Sequence, residues 1–238
     1  MSASLAIDDN SFEALKKDIE GLKQVLGKEV LKKIGREKEE KRIEPFATIF
    51  DYELKQLRSI KILILGLNGH FNEKTPNEDQ PAQNGYPYFN YFRKDFFRIQ
   101  PEGVTLFDES EIGFFDLIPV RTGRKNLLHF DKFKNDRELR NKIRIYLENG
   151  IKLFDPEIIL TNSTDVAKFI SKWLLCDYSK FGTTVYYYPL KGKKIPVILS
   201  GNISGARKID EFNRVRILRE IIENNKSASE RLKNRVML

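Results

Sequence analysis

Asn68 is the residue whose setting most suggests chemistry. It sits near the end of Lys61-Ile62-Leu63-Ile64-Leu65-Gly66-Leu67-Asn68-Gly69-His70, where an apolar, β-branched run gives way to glycine and asparagine. A strand covered on both faces has that composition, and Gly66 and Gly69 permit a tight turn at its end. Asn68 is then expected at the carboxyl end of a strand, where open α/β sheets bind ligands. A neutral carboxamide takes up no proton near pH 7, so its chemistry is to give and receive hydrogen bonds. An ordinary strand-to-loop turn has the same composition, and the display alone leaves that plain reading open.

Three other segments end in the same way: Pro119-Val120-Arg121-Thr122, Thr161-Asn162-Ser163, and Ser200-Gly201-Asn202-Ile203-Ser204-Gly205-Ala206-Arg207. If their strands are parallel, all four ends share one edge. That edge would carry backbone amides, hydroxyls, carboxamides and arginines, with no carboxylate and no metal-ligand cluster. Such a set suits a phosphate backbone and a neutral base.

The elements that must hold these ends alternate strand with helix. Ile112 to Val120 reads as a second strand that breaks at Pro119. Glu157 to Thr161 reads as a third, introduced by Asp155-Pro156 and followed by a helix from about Thr164 to Leu175. Thr183 to Pro189 and Ile195 to Leu199 form a hairpin about Lys191-Gly192. A final helix begins near Asp210. The pattern predicts an α/β fold, a three-layer α/β/α domain with a short, mainly parallel central sheet. Between the first two strands, residues 71–85 have no apolar periodicity and read as a long loop. It leads into Gly85-Tyr86-Pro87-Tyr88-Phe89-Asn90-Tyr91-Phe92-Arg93-Lys94-Asp95-Phe96-Phe97, whose second half should be helical. Apolar residues at Phe12, Leu15, Ile19, Leu22, Leu26, Val30, Leu31 and Ile34 make a helical stripe, which Gly21 and Gly27 should divide. We expect residues 1–56 to be a helical appendage, 57–225 the α/β domain, and 226–238 a polar tail.

Composition narrows the partners. The 238 residues are 40% hydrophobic and 11% aromatic, ample for a core. No run approaches the ~18 apolar residues that span a bilayer, and the first residues show no signal pattern. The expected setting is cytoplasmic, nucleoid-associated in a prokaryote or nuclear in a eukaryote, with no membrane partner and a monomeric state. A single cysteine, Cys176, excludes an intrachain disulfide and a cysteine-built metal site, and is expected in the core. The net charge of +8 favours a polyanion. From Arg121 to Arg144 nine Lys/Arg face three acids, although residues 135–147 also read as an amphipathic helix with a solvated basic face.

Taken in order, the motifs resemble the uracil-DNA glycosylase superfamily, most closely its mismatch-specific uracil/thymine branch. Gly66-Leu67-Asn68-Gly69 is similar to that branch's first motif. Gly85-Tyr86-Pro87-Tyr88 with Asn90-Tyr91-Phe92-Arg93-Lys94 resembles its base-pocket segment, Ile112 to Thr122 its second strand and turn, and Asn202 to Arg207 its late loop. The likeness runs from Lys61 to about Ile222. Gly69 stands where the family usually has proline, and His70 where it usually has a small residue. The spacing from Asn68 to Tyr88 is also longer than the family's.

The resemblance implies a monofunctional DNA glycosylase that needs no cofactor and no metal. Its partner would be duplex DNA with a damaged or mismatched base, or single-stranded DNA. Asn68 would orient the hydrolytic water, with His70 a candidate second contact. Leu67, Gly69, Tyr88, Asn90 and Asn202 would receive the base, Tyr88 by stacking. Arg121, Thr122, Asn162, Ser163 and Ser204 would contact phosphate or base. Arg207, beside small Ser204, Gly205 and Ala206, would enter the stack vacated by the extruded nucleotide. Two other readings stand beside it: a nucleic-acid-binding protein that keeps the fold without catalysis, and a nucleotide-binding enzyme whose glycines cradle phosphate.

Overall fold

The computed structural model describes residues 9–34, 44–45, 57, 59–70, 87–101, 103–122, 136–162, 166–167, 169–170, 177–178, 185–190, 192–200 and 211–236. Nine strands are described: β1 (Glu44–Pro45), β2 (Ile62–His70), β3 (Arg98–Ile99), β4 (Val104–Thr105), β5 (Ile112–Thr122), β6 (Ile158–Thr161), β7 (Asp177–Tyr178), β8 (Val185–Leu190) and β9 (Lys193–Ile198). The longer helices are α1 (Asp9–Ile34), α2 (Arg137–Phe154), α3 (Glu211–Asn224) and α4 (Lys226–Val236).

Seven strands form one sheet in the order β1-β5-β2-β6-β9-β8-β7. Its four central strands, β5, β2, β6 and β9, run parallel. The outer pairings are antiparallel. The expected hairpin is present: Leu190 pairs with Lys193, and Gly192 turns at φ 80°, a left-handed conformation that glycine adopts at least cost.

Successive residues of β2 feed two cores, as the two-residue period of a strand requires. Leu63 and Leu65 join Phe115, Leu117, Ile159 and Val197 beneath α1 and α2. Ile62 and Ile64 join Phe114, Ile158, Leu160 and Ile198 on the other face, under Phe92, Phe96, Phe97, α3 and α4. The result is a three-layer α/β/α arrangement.

The structure differs from the sequence reading in several places. First, α1 is continuous through Gly21 and Gly27. Second, Leu15, Ile19 and Leu22 are buried in the first core, and Asp18 accepts from Asn149 of α2 at 2.9 Å. Of the expected appendage, the described residues 9–34 put their stripe against the same core as α2, and β1 extends the sheet. Third, within the expected polar tail, Lys226–Val236 is the helix α4. Asn225 caps α4 through the Ala228 N–H at 2.8 Å, and Arg231 reaches back to Glu111 at 2.9 Å. Fourth, β2 does not turn at Gly66 but continues to His70, because β5 offers it a partner as far as Thr122.

β5 likewise does not break at Pro119. Asn68 pairs with Ile118 and His70 with Thr122, so β5 holds extra residues between those pairs. Pro119, which has no N–H to give, falls in that bulge, while Val120 and Arg121 pair with β1. Helix α2 ends on Asp155 in the left-handed region, φ 45°, followed by Pro156, which directs the chain into β6. Cys176 lies outside the described residues.

Candidate functional site

The order of the parallel strands locates a site by itself. From β2 the chain moves to β5 on one side and later to β6 on the other. The strand order reverses between β2 and β6, and a crevice opens outside the carboxyl ends of strands at such a point. Leu67, Asn68, Gly69 and His70 of β2, Arg121 and Thr122 of β5, and Asn162 after β6 all come to this edge.

β6 pairs with β2 only from Ile62↔Ile158 to Leu65↔Thr161. The Asn162 N–H then donates to the Leu65 carbonyl at 2.8 Å. Backbone groups of alternate residues point to the same side of a strand, so the Leu67 N–H also faces the β6 side, past the last pair of that ladder. The strand end therefore turns a backbone donor toward the crevice.

Beneath the crevice lies a buried polar knot. The Ser200 N–H donates to Thr161 Oγ1 at 3.0 Å, Thr161 Oγ1 lies 3.4 Å from the Ser200 carbonyl, and Ser200 Oγ donates to the Thr161 carbonyl. Thr161 is fully buried, and Asn162 is only 6% exposed. The two hydroxyls tie the end of β6 to the end of β9 without any charge. They fix the separation between the described ends of these strands, at Asn162 and Ser200.

Sequence reasoning missed two features here. Thr161 and Ser200 look like turn formers, and nothing in their local sequence signals a cross-strand bond. Asp116 is the second: it is a half-buried carboxylate on β5, opposite Gly66 and one diagonal step from Asn68. The edge therefore does carry a carboxylate, contrary to expectation, and the signal was a lone acid inside the apolar run Ile112 to Val120. The backbone carbonyl of Asp116 accepts from Tyr146 Oη of α2 at 3.0 Å. Burial pushes the Tyr146 phenol well above its usual range, and the Asp116 charge adds to the effect. Tyr146 thus stays a neutral donor that steadies this stretch of β5.

The aromatic segment is a short helical stretch over the second core. Pro87–Asn90 is α-helical and Tyr91–Phe96 is π-helical. Phe89 meets Phe114 edge to face at 4.6 Å, and Phe92, Phe96 and Phe97 are buried beside it. Core packing therefore accounts for four of its rings. Asn90 is half-buried and Tyr91 packs against the core. The backbone of Tyr88 lies in the first helical turn. The side chains of Tyr88, Asn68, His70, Arg121 and Thr122 lie outside the described part of the structure, as do Ser163, Asn202, Ser204, Gly205, Ala206 and Arg207 entirely.

The basic strip of α2 is a solvated face. Lys142 pairs with Glu138 at 3.0 Å and Arg144 with Glu148 at 3.6 Å, each one turn apart. Among the described residues no cluster of His, Cys, Asp and Glu could hold a metal ion, and no helix is long and apolar enough to cross a membrane. Compared with protein-family models and with curated proteins, the chain matches none.

Proposed function

We propose that the protein is a monofunctional DNA glycosylase that hydrolyses the N-glycosidic bond of a uracil or related deaminated or mismatched base, leaving an abasic site. The observation that carries this reading is the switch point itself. The backbone positions of Asn68 and Asn162 and the Leu67 N–H lie at that edge, where β2 has lost β6 as a partner. A glycosidic bond within a duplex is out of reach, so the nucleotide must first be extruded, at a cost of a few kcal/mol that is least for a mismatched base.

In the extruded state, bond cleavage develops positive charge on the sugar and negative charge on the leaving base. Fixed donors aimed at a developing anion stabilise it without reorganisation, which is the part given to the N–H groups of Leu67 and of Gly69, two residues on. Asn68 orients the attacking water and, being neutral, draws no proton from it. Asp116, whose ionised carboxylate only accepts hydrogen bonds, favours bases that present an N–H toward β5. With no lysine assigned as a nucleophile, the product is an abasic site without strand cleavage.

The test is base release from duplexes carrying a single uracil, a G:T mismatch or hypoxanthine, read as alkali-sensitive breaks. Release from at least one substrate is expected, with the strand intact before alkali. Duplex binding without release from any of the three would favour the non-catalytic reading. That reading draws on the continuous pairing of β2 through His70, which makes the Asn68 stretch a ladder strand instead of a free turn.

A further inference from the structure

Arg214 is a buried cation with no part in the hydrolysis proposed above. It lies one turn into α3 and is 9% exposed. Its guanidinium donates from Nε to the Phe96 carbonyl at 3.0 Å, from Nη2 to the Asp95 carbonyl at 3.1 Å and to the Arg98 carbonyl, and from Nη1 to Glu211 at 2.6 Å. The three carbonyls stand at or just past the end of the π-helical turn Tyr91–Phe96, where a helix runs short of donors of its own. A planar fork of donors can serve several carbonyls at once, and its charge complements the negative end of a helix. Turns of π-helix are rare and occur often at functional sites.

The other end of the aromatic segment lies beside the candidate site. Phe89 meets Phe114 edge to face at 4.6 Å, and Arg93 Cζ lies 5.5 Å over the same ring. Phe114 and Asp116 are two apart on β5, so their side chains share a face. Gly66 pairs with Asp116, so β2 puts no side chain directly beside that carboxylate. Phe89 and Arg93 are thus seated one side-chain row from Asp116. Helix α3 is itself fastened to the sheet at its far end, where Tyr187 Oη of β8 donates to Asn224 at 3.0 Å and Asn225 donates to the Glu157 carboxylate at 3.1 Å. Between those bonds and Arg214, Ile217, Leu218 and Ile221 are buried in the second core.

We propose that Arg214 is a positioning residue for base hydrolysis. By gripping the carbonyl end of the Pro87–Phe96 segment, it holds Phe89, Asn90 and Arg93 against β5, beside the place where an extruded base enters. The inference rests on the glycosylase reading above and adds to it a side chain that never touches the nucleotide. A grip at the far end of the segment acts on the geometry of the filled pocket and not on the phosphate contacts that capture the duplex. It therefore enters the rate of the bound complex and leaves affinity alone.

The experiment measures single-turnover base release and duplex affinity for full-length wild type, Arg214→Lys, Arg214→Met and Glu211→Gln. The substrate is whichever of the uracil, G:T and hypoxanthine duplexes wild type turns over best, and thermal melts give the folded fraction of each variant. Per folded molecule, Arg214→Met should release base about tenfold more slowly and Arg214→Lys, which keeps the charge without the fork, about threefold, both with the wild-type Kd. Glu211→Gln, which leaves the three carbonyl contacts in place, should release base as wild type does. Should Arg214→Met fail to fold, Arg214→Lys carries the same test. Release at the wild-type rate per folded molecule by the folded Arg214 variants, a loss of affinity in step with rate, or an equal loss in Glu211→Gln would overturn the positioning role and leave the glycosylase reading standing. If wild type releases no base from any of the three duplexes, the glycosylase reading fails and takes the positioning role with it.

Discussion

The two edges of the central strands are held by different forces. At the amino edge, Glu111 is fastened to Lys61 at 2.6 Å and to Arg231 at 2.9 Å, with Arg231 also 3.4 Å from Asp108. At the carboxyl edge, Thr161 and Ser200 are joined by neutral bonds between hydroxyls and backbone, and the Asn162 N–H donates to the Leu65 carbonyl. Charge at one end and hydroxyls at the other divide two duties. The ion pairs close the fold over the long separation between β5 and α4. The neutral knot ties the ends of β6 and β9 together and adds no charge of its own to that of Asp116.

Variants at the two edges should therefore separate activity from stability. The largest effect is expected at the carboxyl edge, where Asn68→Ala should lower the rate of base release by about 10²–10³-fold while the melting temperature stays at the wild-type value. Wild-type single-turnover rates in that variant would remove Asn68 from the mechanism.

At the amino edge the result should invert. Glu111→Ala leaves two partly exposed cations facing each other without their carboxylate. It should cost about 2 kcal/mol of unfolding free energy in a urea titration, with the rate per folded molecule unchanged. A loss of rate equal to the loss of stability would show that the edges are not independent.

Thr161→Val tests the knot. It keeps the shape of the side chain and strands the Ser200 N–H, so about 1–2 kcal/mol of stability should be lost. A several-fold drop in kcat with little change in KM should accompany it, and Thr161→Ser should restore both. Failure of the serine variant to restore kcat would mean that packing, not the hydroxyl, positions the loops.

The smallest effect should be a pH dependence. Burial acts to raise the Glu111 carboxyl, but hydrogen bonds from Lys61, the Asp108 N–H and Arg231 outweigh it and hold the group below its ordinary value of 4.5. A depressed folded value contributes stability above the unfolded value, and that contribution is lost as pH falls through the folded one. Wild type should thus lose its advantage over Glu111→Gln on acidification below about pH 4.5, measured as the difference between their urea midpoints. A constant difference down to pH 3 would contradict the pairing.

Much of the layered architecture could be read from pattern. Ile62 to Leu65 announced a strand covered on both faces, and Lys191-Gly192 announced a hairpin, because burial and a left-handed turn leave direct marks on composition. Long-range pairing left weaker marks. Gly66 to His70 has turn chemistry, yet a neighbouring strand holds it extended, as context overrides propensity. Leu15, Ile19 and Leu22 showed a stripe without showing what it would cover, and Arg231 looked solvated because Glu111 lies far from it in sequence. Around the candidate site, the positions of Asn68, Thr122 and Asn162 at strand ends were legible. Asp116, Thr161 and Ser200 were not, since their significance arises only when strands are set side by side.

The bond between Arg231 and Glu111 joins positions 120 residues apart. During synthesis at about 5–20 residues per second, Glu111 therefore precedes its guanidinium partner by roughly 6 to 24 s. Over that interval the second core lacks Ala228 and Leu232. The nascent chain passes through a stage in which the crevice strands can already pair while the opposite edge is still without its ion pair.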